Sequence, residues 1–202
     1  KISFPAEFHA QTAVECAIQL YEQIKNRLND IEKITITTQE SAIRIIDKSG
    51  PLNNPADRDH CIQYMTAIGL IFGALTADHY EEVTAKDPRI DALREKMVCV
   101  EDPQYTKDYL DPEKRSIANA VQVFFKDGSS TPKVAVEYPI GHRRRRAEGM
   151  PLLVKKFEAN LASRLPANQC AAIMELCLDA ARLQATPVDK STDMFIARSP
   201  TL

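Results

Sequence analysis

The feature that most constrains this chain is where its hydrophobic period changes. Val121, Val123 and Phe125 recur at every second position, as do Val134, Val136 and Tyr138. A period of two puts successive side chains on opposite faces of a strand. Asp127-Gly128 lies between the runs, so Asn119–Phe125 and Val134–Tyr138 are expected to pair as a hairpin with an extended turn. Ile31–Thr38 (IEKITITT) reads as another half-buried strand and Val98–Val100 as a short one. Around them the period is helical. Ala10, Ala13, Ala17, Tyr21, Ile24 and Leu28 form a stripe within Phe8–Leu28. A short helix is expected at Ser41–Ile46, then a loop at Pro51–Pro55. One helix is expected from Asp57 to Leu75, with Cys61, Met65, Ile68, Phe72 and Leu75 on its core stripe. In it, Gly69 and Gly73 leave room for a close neighbour. Thr76 can cap a helix to Val83, and Asp87-Pro88 opens one to Met97. Pro151–Leu165 and Ala167–Leu183 are two further helices, and the tail from Thr186 has little pattern.

Strands and helices mix without regular alternation, which argues for an α+β domain with an antiparallel sheet and packed helices. It occupies residues 1–148, with helices alone in 149–202. The 202 residues are 44% apolar and 27% charged, so a core can form. A net charge of −2 gives no general attraction to nucleic acid or anionic lipid. The longest apolar run, Ala67–Leu75, is too short to span a membrane. Cys16, Cys61, Cys99, Cys170 and Cys177 are odd in number and form no CxxC pair. Free thiols are expected, with no metal or cluster site.

Glycine-rich phosphate loops, HExxH and GxSxG are absent, so chemistry must rest on acid–base groups and cationic clamps. Three places offer them. Lys1 and His9 flank a helix start, where free N–H groups can hold a carboxylate and keep an imidazole neutral. The plain alternative is an exposed lysine and a first-turn histidine without a role. His60 and Tyr64 are four residues apart, so on one helix they share a face beside the core stripe. A boundary contact covering the core is the alternative there. His142 and Arg143, Arg144, Arg145 and Arg146 follow the hairpin. Such a run suits a polycarboxylate, since Arg binds carboxylate in a two-pronged manner. It also suits a nucleic-acid patch, or a solvated run pairing with nearby acids.

The segments FPAEFHAQTAVE, GPLNNPADRDHCIQYM, DPRIDALREKM, EDPQYTKDYLDPEKRSIANA and EYPIGHRRRRAEG carry a family likeness. In that order they resemble the MmgE/PrpD family of cofactor-independent hydro-lyases. The resemblance implies that residues 1–148 are a small lid domain and that 149–202 return to a larger all-helical domain, whose N-terminal part this chain lacks. The start at Lys1 rather than Met agrees with that expectation. The implied reaction removes water from 2-methylcitrate to give 2-methyl-cis-aconitate, a step of propionate catabolism. No cofactor is implied, and the expected partner is a small tricarboxylate, with a homodimer through the helical domain. Lys1, His9, Tyr64 and His60 are the implied catalytic positions; His142 and the four arginines are the candidates for substrate binding. A bacterial version is expected in the cytoplasm and a fungal one in mitochondria. A family relative acting on a similar acid, a cis-aconitate decarboxylase or an epimerase, is the enzyme alternative. A non-catalytic interaction module anchored by the arginines is the other.

Overall fold

A computed structural model describes residues 2–197. They form two compact units, residues 3–146 and residues 147–197. The elements of the first unit are α1 (Gln11–Ile24), β1 (Ile31–Thr38), α2 (Glu40–Ile46), α3 (Pro55–Asp59), α4 (Ile62–Phe72), α5 (Glu82–Ala85), α6 (Pro88–Arg94), β2 (Met97–Glu101), α7 (Pro103–Leu110), β3 (Asn119–Phe125) and β4 (Val134–Val136). The fold is α+β, as the mixed periods require.

The four strands run in the order β2-β1-β3-β4. β3 lies antiparallel to both β1 and β4, with Ile36 opposite Val121 and Asn119 opposite Val136. The expected hairpin therefore forms. The sheet is mixed rather than wholly antiparallel, because β1 and β2 run parallel with Ile34 opposite Met97. A parallel pair needs a long crossover, and the helical stretch from α2 to α6 supplies one. Ile34 and Ile36 of β1 join Val121, Val123 and Phe125 of β3 in the core. A register shift between Ile31 and Lys33 keeps Ile31 buried too.

α1 and α4 complete that core. Ala13, Val14, Cys16, Ala17, Leu20 and Ile24 are the buried apolar residues of α1. The two helices approach closely at Gly69, where an added Cβ would lie 2.8 Å from the Ala17 Cβ. Gly73 then ends α4 in the left-handed region at φ 65°, a conformation glycine adopts without steric cost. The single helix expected over Asp57–Leu75 is two. His60 (φ −111°) and Cys61 (φ −125°) break it into α3 and α4. Neither residue is a strong helix former, but neither marks a stop, so the sequence carries no clear sign of the break.

α7 is a helix the periodicity did not reveal. Asp102 caps it by accepting from the Gln104 and Tyr105 N–H groups, with Pro103 in the first turn. The second unit is helical: α8 (Arg146–Ala162), α9 (Ala167–Leu178), α10 (Ala180–Ala185) and α11 (Val188–Asp193). α8 begins before Pro151 and carries that proline inside it. The helix expected over Ala167–Leu183 is interrupted at Asp179, whose side chain caps α10 through the Arg182 N–H. Leu161, Cys170 and Ile173 are its core. Met150, Leu152, Leu153, Leu178, Leu183 and Val188 stay exposed, a large apolar content for a small helical unit.

Candidate active site

The first candidate stands at the entrance to α1. Residues Phe8–Ala10 form a 3-10 turn, and Glu7 caps it by accepting from the His9 N–H at 2.7 Å. The second oxygen of the same carboxylate meets His9 Nδ1 at 2.9 Å. On the far side of the ring, Nε2 lies 3.1 Å from the Tyr109 hydroxyl of α7. Burial raises the affinity of Glu7 for a proton, but the side-chain hydrogen bond and the charge of His9 outweigh it. Its carboxyl therefore sits below the ordinary value. The turn itself is fixed from behind. Gln11 Nε2 donates to the carbonyls of Phe4 and Ala6, and Asn119 Nδ2 at the start of β3 donates to the His9 carbonyl at 2.7 Å. Lys1 lies outside the described residues.

His60 closes α3 close by, since the Glu7 N–H donates to the Asp59 carbonyl. The His60 ring is half exposed, with Nδ1 against the Asp59 carboxylate. The helix break corrects the expectation that His60 and Tyr64 share a face. Tyr64 lies in the core at 2% exposure, and its hydroxyl donates to the His79 carbonyl at 2.6 Å. Burial raises that hydroxyl to about 12, against a smaller opposing effect of Arg58. The ring stacks on Tyr80 at 6.0 Å. The hydroxyl thus ties α4 to the turn at His79. Tyr64→Phe is therefore expected to cost about 1 kcal/mol of stability, read as a fall in denaturation midpoint. A midpoint equal to that of the wild type would show that this bond contributes nothing to stability.

The arginine run divides by partner. Arg145 makes two 2.9 Å bonds to the Glu15 carboxylate of α1 and a third to the Tyr138 carbonyl. Its guanidinium therefore holds the segment after β4 against α1. Both partners of this pair are mostly buried, at 19% and 12% exposure. Arg145→Ala is expected to cost about 1.5–3 kcal/mol, the range for hydrogen bonds to charged groups. Equilibrium unfolding measures it, and a change below about 0.5 kcal/mol, the scale of neutral surface substitutions, would refute the assignment. Arg143 and Arg144 are exposed and donate to the Glu113 carbonyl at 3.2 and 3.1 Å. Arg146 is exposed as well. His142 stacks on Tyr138 at 4.5 Å, and its Nδ1 accepts from the Arg144 N–H at 3.2 Å. Burial first, then the charges of Arg143 and Arg144, hold this imidazole below its usual value. Next to Glu113, Arg115 has a positive φ of 46°, a costly backbone for a non-glycine residue.

His9, through Tyr109, and His142, through the residues that grip Glu113, are thus both tied to α7 and the loop after it. His60 joins through the backbone bond between Glu7 and Asp59. The MmgE/PrpD C-terminal domain matches residues 4–180 of this sequence. The chain belongs to the MmgE/PrpD family. It is 60% identical over 199 residues to the 2-methylcitrate dehydratase of Salmonella typhimurium, covering 97% of this chain and 41% of that protein. It is 52% identical over 201 residues to the mitochondrial 2-methylcitrate dehydratase of Yarrowia lipolytica, covering 98% and 38%. A 2-methylcitrate dehydratase-like protein, oryR, of Aspergillus oryzae is 38% identical over 198 residues, covering 95% and 39%. The chain spans about two fifths of the length of these relatives.

In this MmgE/PrpD chain the reading of the sequence missed Glu7 and Tyr109. A signal existed for the second, because Asp102-Pro103 repeats the cap that marks Asp87-Pro88. Among the described residues no group of three or more His, Cys, Asp or Glu side chains could hold a metal ion. None of their helices is long and apolar enough to cross a membrane.

Proposed function

We propose that the protein acts as a hydro-lyase that converts 2-methylcitrate to 2-methyl-cis-aconitate and water, this chain contributing part of the site. The observation that carries the reading is the 60% identity to a 2-methylcitrate dehydratase along 97% of the chain. Residues 1–148 serve as the lid, and 149–202 return to a helical domain built mainly from sequence outside this chain. The exposed apolar residues of α8 to α11 support that return, since they leave a surface for further helices.

Dehydration removes a proton beside a carboxylate and expels a hydroxyl group as water. The first step develops negative charge next to existing charge, so fixed cations and hydrogen-bond donors must face it. The second needs an acid within reach of the departing oxygen. His9 is the proton-transfer group for which the geometry speaks most directly, with its neighbours on both ring nitrogens. His60 stands beside it. Lys1 is a further catalytic position, and His142, Arg143, Arg144 and Arg146 are the groups for the substrate carboxylates. The reaction as written calls for no cofactor.

This chain alone is expected to show no turnover of 2-methylcitrate, because it spans 41% of the Salmonella relative. The full-length protein is expected to release 2-methyl-cis-aconitate, followed by its ultraviolet absorbance. Carbon dioxide or an isomerised acid as the product would identify a decarboxylase or an epimerase and overturn the reading. Turnover by residues 1–202 alone would show that the site is not divided.

A further inference from the structure

We propose that Glu7 and Tyr109 are positioning residues for His9, fixing which imidazole nitrogen carries the proton and where the other one points. Their role in turnover rests on the reading of His9 as a proton-transfer group; the tautomer they impose does not.

The reasoning is a count of donors and acceptors. Glu7 presents one carboxylate oxygen to the His9 backbone N–H at 2.7 Å and the other to Nδ1 at 2.9 Å. An ionised carboxylate only accepts. Nδ1 must therefore carry a hydrogen. In the neutral imidazole Nε2 is then a lone pair, and the Tyr109 hydroxyl, 3.1 Å away, must donate to it. When Nε2 takes up a proton, it becomes a donor. The Tyr109 hydroxyl can turn to accept, because a hydroxyl serves in both senses. The imidazolium then has the Glu7 carboxylate as acceptor on Nδ1 and the Tyr109 oxygen on Nε2. Both states keep a hydrogen bond on each ring nitrogen, so the ring need not turn when Nε2 gains or loses a proton. The Phe8 ring, edge-on at 6.5 Å, and the Tyr109 ring at 5.5 Å flank the imidazole. Partners on the second nitrogen of a working histidine commonly set its tautomer.

The competing account makes Glu7 a helix cap and nothing more. Glu7→Gln separates the two. The amide has nearly the same shape but only one accepting atom. The backbone N–H of His9 cannot change its character, so it claims the amide oxygen. The amide NH2 then faces Nδ1 and forces it to accept. The substitution is expected to invert the tautomer, moving the proton to Nε2, while the cap and the fold persist.

The chain has four histidines, so 15N labelling of histidine gives a simple imidazole spectrum. Long-range 1H–15N correlation at a pH where His9 is neutral is expected to show Nδ1–H in the wild type and Nε2–H in Glu7→Gln. Tyr109→Phe, which does not touch the cap, is expected to keep Nδ1–H and shift the Nε2 resonance toward that of an unbonded nitrogen. An Nε2–H wild type, or a Glu7→Gln spectrum that keeps Nδ1–H, overturns the proposal. In the full-length enzyme Glu7→Gln is expected to lower kcat by about 10- to 100-fold, the usual effect of such supporting partners, with KM little changed. Glu7→Asp is expected to recover part of that loss. A tautomer that inverts with kcat unchanged overturns the role of His9 in proton transfer while leaving the hydrogen-bond assignment standing.

Discussion

On the proposed hydro-lyase function, replacing His9 with glutamine in the full-length protein is expected to lower turnover of 2-methylcitrate by about 10²- to 10⁴-fold, the contribution of a positioned acid–base group. Binding of the substrate should change little, since the loss falls on proton transfer. The fold is expected to survive for specific reasons. The backbone of the turn is held by Gln11, by Asn119 and by the Glu7 cap, none of which needs the imidazole. The His9 side chain is only 11% exposed, however, so a stability change of about 1 kcal/mol is expected from its lost hydrogen bonds. Measuring kcat, KM and the melting temperature on one preparation decides the matter. Wild-type turnover with a lowered melting temperature would make His9 a packing residue. Lost turnover with a near-native melting temperature supports the proton-transfer role.

The same segment shows which parts of the site could be read from the sequence. β1 occupies Ile31–Thr38, the run expected, because alternation with a polar partner set is a local property. The β3–β4 hairpin was legible for the same reason. His9 could be singled out as an imidazole near a helix start, but not its partners. Glu7 lies two residues before it and acts through a tight turn that no helical period describes. Tyr109 sits on α7, which buries no residue fully and so shows only a weak apolar stripe. The shared helix face expected for Tyr64 and His60 does not form, because α3 ends at Asp59 and α4 begins only at Ile62. A spacing rule assumes the helix continues. The arginine run was visible as charge, yet Glu15, which claims Arg145, lies 130 positions earlier in the chain. Pairings across that distance are set by the packing of α1 against the sheet, and no local pattern announces them.

The close crossing of α1 and α4 predicts the largest effect on stability. Gly69→Ala sets two magnitudes against each other. Alanine gains about 0.8–1.0 kcal/mol over glycine in a helix interior. Its Cβ would lie 2.8 Å from the Ala17 Cβ and 3.3 Å from the Val14 carbonyl oxygen. Overpacking of this kind costs about 1–3 kcal/mol, so the expected net change runs from neutral to a loss of about 2 kcal/mol. Gly69→Val removes that balance. It adds two more methyl groups at the same crossing and brings a β-branched residue of lower helix propensity. The Val14 oxygen belongs to the backbone of α1, so it can yield only if α1 moves. α1 is held in turn by the Arg145–Glu15 pair and by Thr12, which donates to the Ile117 carbonyl. Gly69→Val is therefore expected to lose about 3 kcal/mol or more, a melting shift of about 6–12 °C for a chain of this size. Ala17→Gly in the same molecule opens the facing position and should recover a measurable part of the Gly69→Ala loss, while costing stability alone. Coupling of that sign between the two sites marks direct contact. Strict additivity, or a Gly69→Val protein as stable as the wild type, would place the helices farther apart than described.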